Sequence, residues 1–200
     1  MIRLVTLAFA ALALAGCAAA PTRAPDSLLD PAMLSSWAAS GRIALALGEE
    51  GGSGSFSWVQ GGEDATLTIR GPLGAGGLRI ESDGRDLQVI QSDGQVLEAA
   101  AARALLNQRF GQDFPLGSLR YWMLGVPAPG SEARVSTHDE APVRVIEQSG
   151  WRVGYDEFQA VQGLWLPARL TASTAGARLK LVVSEWRFPG GAGSEAARQP

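Results

Sequence analysis

The feature that most constrains the fold is a period of two in hydrophobicity, broken at short intervals by glycine-rich turns. Ile43, Leu45 and Leu47 alternate with Arg42, Ala44 and Ala46, and Phe56 and Trp58 alternate with Ser55, Ser57 and Val59. Leu67 and Ile69, Leu78 and Ile80, and Leu87 and Val89 repeat the pattern. Gly61-Gly62 and two Asp-Gly pairs punctuate it. A side-chain period of two places one apolar face against a core and one polar face in water, and short turns between such runs make antiparallel hairpins. The pattern returns over Val143 to Gln148, then at Trp151, Val153 and Tyr155, at Leu166 to Ala172, and at Leu179, Leu181 and Val183.

Between the two sets of strands the period changes. Glu98 to Phe110 is rich in alanine and carries Leu105, Leu106 and Phe110, with Gly111 as a stop. Leu116 to Leu124 puts Leu119, Trp122 and Met123 at helical spacing before Gly125. Two helices are predicted there. A third is predicted near the front, where Asp30-Pro31 reads as a cap with proline in the first turn and Met33, Leu34 and Trp37 follow at helical spacing up to Ser40-Gly41. The fold class is mainly β with helices: a curved antiparallel sheet with helices on its concave side. Such a sheet encloses either a filled core or a ligand cavity, and periodicity does not choose between them.

The first seventeen residues have a different origin. Arg3 precedes an apolar run from Leu4 to Leu14, and Leu14-Ala15-Gly16-Cys17 closes it. The run is shorter than the roughly 20 residues needed to span a bilayer, and small residues stand where a signal peptidase cuts. The pattern is a secretory signal (1–16) ending in a lipobox, with Cys17, the sole cysteine, as the thiol that receives the lipid. Ala18 follows rather than the aspartate that commonly retains such chains in the inner membrane, which favours the outer membrane with the body facing the periplasm. Residues 17–27 read as the lipidated residue and a flexible tether, 28–188 as one folded domain and 189–200 as a disordered tail. No later run approaches spanning length, so that domain is expected to be water-soluble.

Several function classes lose support. Twenty acidic residues against 17 basic ones give a formal charge of −3, without the basic surplus of a nucleic-acid binder or a polybasic membrane patch. One histidine, His138, in a polar stretch read as a loop, and no cysteine beyond Cys17 leave no usual zinc set. No Gly-x-Ser-x-Gly elbow occurs, and the Gly71–Gly77 segment lacks the Lys-Ser/Thr of a phosphate loop. Acidic residues are present, so a two-carboxylate hydrolase stays open. No catalytic residue, metal or cofactor is assigned. In Gly71-Pro72-Leu73-Gly74, Leu73 either folds back over the sheet end or projects outward. Each tryptophan alone reads first as core.

Taken together, the chain resembles the LolB family of outer-membrane lipoproteins. The residues that carry the resemblance are Gly41-Arg42-Ile43-Ala44, Ser55 to Gln60, Gly71-Pro72-Leu73-Gly74, Phe114 to Pro127, Leu166 to Leu170 and the last strand through Trp186. The resemblance implies an incomplete, open β-barrel with a helical lid over a hydrophobic cavity. It implies a monomer that takes acylated cargo lipoproteins from a periplasmic carrier of the LolA kind and inserts them into outer-membrane lipid. Pro72, Leu73 and Gly74 would form the membrane-insertion loop. Phe56, Trp58, Leu105, Leu119, Trp122, Met123, Trp151 and Trp186 are the candidates for cavity and lid. The glycine- and alanine-containing tail past Phe188 departs from the family pattern. The competing classes are a scaffold or adaptor lipoprotein with a filled core, and a lipid-anchored binder of another hydrophobic ligand.

Overall fold

Eleven strands pair in one antiparallel sheet, traced here in a computed structural model that describes residues 30–72, 76–110, 114–137 and 144–189. The strands are β1 (Ser36–Leu47), β2 (Glu50–Gly61), β3 (Asp64–Arg70), β4 (Gly77–Ser82), β5 (Leu87–Gln91), β6 (Val96–Glu98), β7 (Ala133–Thr137), β8 (Arg144–Gln148), β9 (Trp151–Val161), β10 (Leu164–Ser173) and β11 (Ala177–Arg187). Helices α1 (Ala99–Phe110) and α2 (Leu116–Met123) stand between β6 and β7. The spatial order is β6-β5-β4-β3-β2-β1-β11-β10-β9-β8-β7. One long pairing, β1 with β11, joins two meanders. The outer strands β6 and β7 are not paired to each other, so the sheet stays unclosed.

The alternation read from sequence becomes rows of inward side chains. Trp58 lies opposite Leu67, Leu67 opposite Ile80, and Ile80 opposite Val89. In the other direction Ile43 faces Leu181, Leu181 faces Leu170, and Leu170 faces Tyr155. Residues of both rows belong to a single buried cluster that also takes in Leu119, Trp122 and Met123 of α2. One end of the sheet therefore reaches the same core as the other, with α2 between them. Close approach of neighbouring strands needs glycine at two inward points. A Cβ on Gly41 would lie 2.0 Å from the Val182 carbonyl oxygen, and one on Gly54 would lie 2.0 Å from that of Arg70.

The predicted front helix is corrected. Asp30 does cap, its Oδ1 accepting from the Ala32 amide at 2.9 Å, but the turn is a 3₁₀ segment that ends at Met33. β1 starts at Ser36, with Trp37 and Ala39 on the inner face in phase with Ile43. Long pairings to β2 and β11 outweigh a few apolar residues at helical spacing. Two strands escaped the sequence reading: three-residue β6, and β7, which runs into the polar stretch before His138. The lipobox with Cys17, the tether, Leu73 and Gly74, His138 and the tail from 190 lie outside the described residues.

A closed apolar hollow beneath helix α2

The inner face of β1, β2, β3 and β11 meets the approach to α2 at a small enclosed hollow of about 20 Å³. Its walls are wholly apolar and include Ile43, Phe56, Trp58, Leu67, Phe114 and Leu119. That is room for about one water-sized sphere, at a site with no polar partner to hold a water.

The interior also holds three aromatic groupings. Trp37 lies between Trp58 and Trp186, with ring centroids 5.5 and 5.3 Å apart. Trp122 of α2 lies 6.1 Å from Trp151 of β9, and Tyr155 lies 5.7 Å from Phe158. Three of the buried indoles have an acceptor, which offsets the cost of burying an N–H. Trp58 Nε1 donates to Gln60 Oε1 at 3.0 Å, and Trp186 Nε1 to the Pro167 carbonyl at 3.3 Å. Trp122 Nε1 donates to Gln148 Oε1 at 2.9 Å.

Gln148, 3% exposed, is a polar knot. Its Oε1 also accepts from the Ala128 amide at 2.9 Å, and its Nε2 donates to the Ala128 carbonyl at 2.7 Å and to Ser131. Nearby, the Tyr155 hydroxyl donates to the Trp122 carbonyl at 2.9 Å. Burial pushes the Tyr155 phenol far above its usual pKa, with Arg144 pulling weakly the other way. On its opposite flank α2 is held by Arg120, which donates to the Gly62 carbonyl at 3.1 Å, to Glu63 at 3.0 Å and to the Tyr121 hydroxyl at 2.7 Å. Burial opposes the guanidinium charge, yet the bonds to Glu63 and Tyr121 outweigh it and leave the Arg120 pKa raised. α2 is thus fastened to the β2–β3 turn on one side and to β8 and β9 on the other. α1 reaches the body through Arg103, whose Nη2 donates to the Arg85 carbonyl at 2.8 Å, and it buries Ala102 and Leu106.

The fold gathers Phe56, Trp58 and Leu119 at the hollow and sends Trp122, Met123 and Trp151 into the fastened region under β8 and β9. Trp186 packs edge-on against Trp37, and Leu105 is half-buried on α1. Sequence reasoning missed Gln60 and Gln148, although a glutamine at an inward position of an apolar strand is a usable signal. At one end of the sheet the Gly71 amide bonds the Gly76 carbonyl at 3.4 Å and closes the base of the loop that contains Leu73.

A family model described as "Outer membrane lipoprotein LolB" matches residues 35–186, which spans the sheet from its first strand to its last. The chain belongs to the LolB family. Named LolB relatives from Alkalilimnicola ehrlichii and Marinomonas sp. are 34% and 30% identical, each match covering 92% of this chain and 96% of the relative. One from Halorhodospira halophila is 34% identical over 92% of this chain and 94% of its own. Family membership makes this an outer-membrane lipoprotein. Among solved structures, a DUF1329 family protein from Desulfovibrio piger matches with a TM-score of 0.50 at 11% identity, covering 80% of this chain and 88% of its own. That likeness is one of fold. A LolA superfamily protein from Nitrosomonas europaea aligns with a TM-score of 0.47 at 15% identity, covering 78% of this chain and 86% of its own.

Proposed function

We propose that the chain is an outer-membrane receptor that accepts lipoproteins from a periplasmic carrier and inserts them into the membrane, sheltering their acyl chains on the way. The observation that carries this reading is the wholly apolar hollow inside an unclosed sheet. An acyl chain of about fourteen carbons exposed to water costs on the order of 10 kcal/mol at about 0.8 per methylene. Cargo therefore moves only from one greasy site to another, and downhill if the membrane grips it more firmly than the receptor. Such a transfer needs no nucleotide, cofactor or covalent step.

In this reading Cys17 carries the anchor, and Leu73, between Pro72 and Gly74, enters the bilayer and eases release. A hollow of about 20 Å³ does not admit a fatty chain, so uptake requires widening. The unclosed sheet lets that happen without breaking strand pairs, and α1, with Leu105 and Leu106, is the element free to move while α2 stays bolted. Phe56, Trp58 and Leu119 would then meet the acyl chain first.

The test supplies a fluorescent lipoprotein on its soluble carrier to the acylated chain in vesicles, without nucleotide. Movement of label into the vesicles supports the reading, and its absence overturns it. The small size of the hollow favours a second reading, a filled-core scaffold. A covalent crosslink between α1 and β5 separates the two, because it blocks uptake by a receptor and leaves a scaffold unaffected.

A further inference from the structure

We propose that the outer face of β1, β2, β3 and β11, next to the loop that contains Leu73, is a docking groove for anionic phospholipid headgroups. Arg70, Ser55, Arg42, Val182 and Arg169 lie opposite one another in turn across five adjacent strands, as one register row on the outer face. Lys180 lies one outward position along β11 from Val182. Arg42, Arg70 and Lys180 line a groove of about 410 Å³ with Ser53, Ser55 and the Gly71-Pro72 start of the loop, and no acidic residue lines it. Among the described residues these three exposed cations have no acidic partner, whereas Arg79, Arg120, Arg134, Arg152, Arg169 and Arg187 each have one. The chain as a whole is acidic at −3. Arg85, Arg103, Arg144 and Arg178 also have no acidic partner among the described residues, but none of them lines this groove. Its three cations, with no acid in the lining, make a local positive field reaching about 10 Å at ordinary salt.

The groove suits phosphodiesters on a surface. Arginine forks match phosphate oxygens, and the serine hydroxyls supply further donors. Its position favours a membrane over a soluble protein. The β1–β2 and β10–β11 turns meet at this end, the Gly48 amide donating to the Gly176 carbonyl at 3.2 Å, and β3 runs toward it, finishing at Arg70 opposite Ser55. The described chain starts at the other end, where Ser35 accepts from the Gly62 amide. β1, from Ser36 to Leu47, is about 36 Å long. The chain from Cys17 to Asp30 reaches about 45 Å at full extension. An anchor at Cys17 therefore allows the basic end to turn back onto the membrane that holds it. Docked there, the groove sets the body upright with the loop against the bilayer. The receptor reading supplies the membrane-facing role of that end, and the inference rests on it for that alone.

With Cys17 acylated the chain has no free thiol, so Ser53→Cys on the groove rim provides a single fluorophore position. The labelled full chain is reconstituted in phosphatidylethanolamine vesicles with or without a third of phosphatidylglycerol, each holding a headgroup-quencher lipid. The expected result is strong quenching with phosphatidylglycerol, relieved by high salt. Adding R42Q, R70Q and K180Q should lower the ratio of quenched to unquenched protein about a hundredfold. Arg134→Gln with Arg152→Gln should leave it unchanged. Equal quenching on both vesicles, or quenching that survives the triple substitution, overturns the proposal. So does a response that needs added carrier protein, or one produced by inorganic phosphate without vesicles. Cargo transfer is scored in parallel: transfer with a silent groove sinks the groove and spares the receptor, and quenching without transfer does the reverse.

Discussion

Replacing Gln148 with leucine is the most informative single perturbation of the body. The side chains are similar in size, so packing changes little and hydrogen bonding changes completely. Three buried groups lose their partner: the Trp122 indole N–H, the Ala128 amide and the Ala128 carbonyl. Ser131 is exposed, and water replaces glutamine there. A buried polar group left unmatched costs about 1–3 kcal/mol, and small shifts recover part of that when several are close together. The expected loss is about 3–5 kcal/mol, a large share of a domain's stability. Urea unfolding followed by tryptophan fluorescence measures it directly. Gln148→Ala, which adds a void but lets water in, should cost less per lost bond. A loss below about 0.5 kcal/mol for Gln148→Leu, typical of a surface site, would refute the claim that this residue fastens α2 to β8.

Three further outcomes follow from the same geometry. Gly54→Val places carbon against the Arg70 carbonyl, so β2 and β3 must separate; the melting temperature should fall, with a cost of about 1–3 kcal/mol or more, and a neutral result would mean that the strands part freely. Tyr155 has a raised folded pKa, so above about pH 10 the unfolded chain ionises while the folded one does not, and stability should fall by about 1.4 kcal/mol per pH unit from this group. Tyr155→Phe should remove that slope in alkaline denaturation curves, while losing the bond to the Trp122 carbonyl at every pH. Leu73→Glu should leave unfolding midpoints and cargo acceptance near those of the parent and impair release into liposomes; unchanged release would make Leu73 ordinary packing.

Most strands were legible because burial on one face imprints a period of two, and the core rows through Trp58 and Ile43 are that imprint realised. β7 was not, since all but the first of its residues are exposed and an edge strand needs no apolar alternation. Nor was the start of β1, where Met33, Leu34 and Trp37 mimic a helical stripe although Trp37 belongs to the strand's own alternation. The aromatic candidates were legible one at a time. Which of them share a wall was not, because the division between the hollow and the Trp122–Trp151 region is set by sheet curvature and by α2 crossing from the β2–β3 turn to β8. The basic groove joins three consecutive strands, β1, β2 and β3, to β11 at the far end of the sheet's sequence, so Arg42, Arg70 and Lys180 became neighbours only through register.

A closed hollow and an acyl-binding function are compatible if the closing contacts are weaker than the cargo's demand for shelter. α1 buries Leu106 and Ala102 and half-buries Leu105. Full burial of a leucine contributes about 1.5–3 kcal/mol and an alanine less, so lifting α1 costs on the order of 5 kcal/mol. One fatty chain of about fourteen carbons returns on the order of 10 kcal/mol. In the proposed reading closure thus wins when the receptor is empty, hiding its apolar interior from water, and opening wins when this interior grips the cargo more firmly than the carrier does by more than that cost. The imbalance has a consequence that needs no cargo to detect. In native-state hydrogen exchange, the α1 amides should open with a free energy near 5 kcal/mol, below that of the α2 amides, which Gln148, Tyr155 and Arg120 hold through the surrounding strands. Equal protection of the two helices would mean that α1 is fixed as firmly as the rest of the core and does not act as a lid.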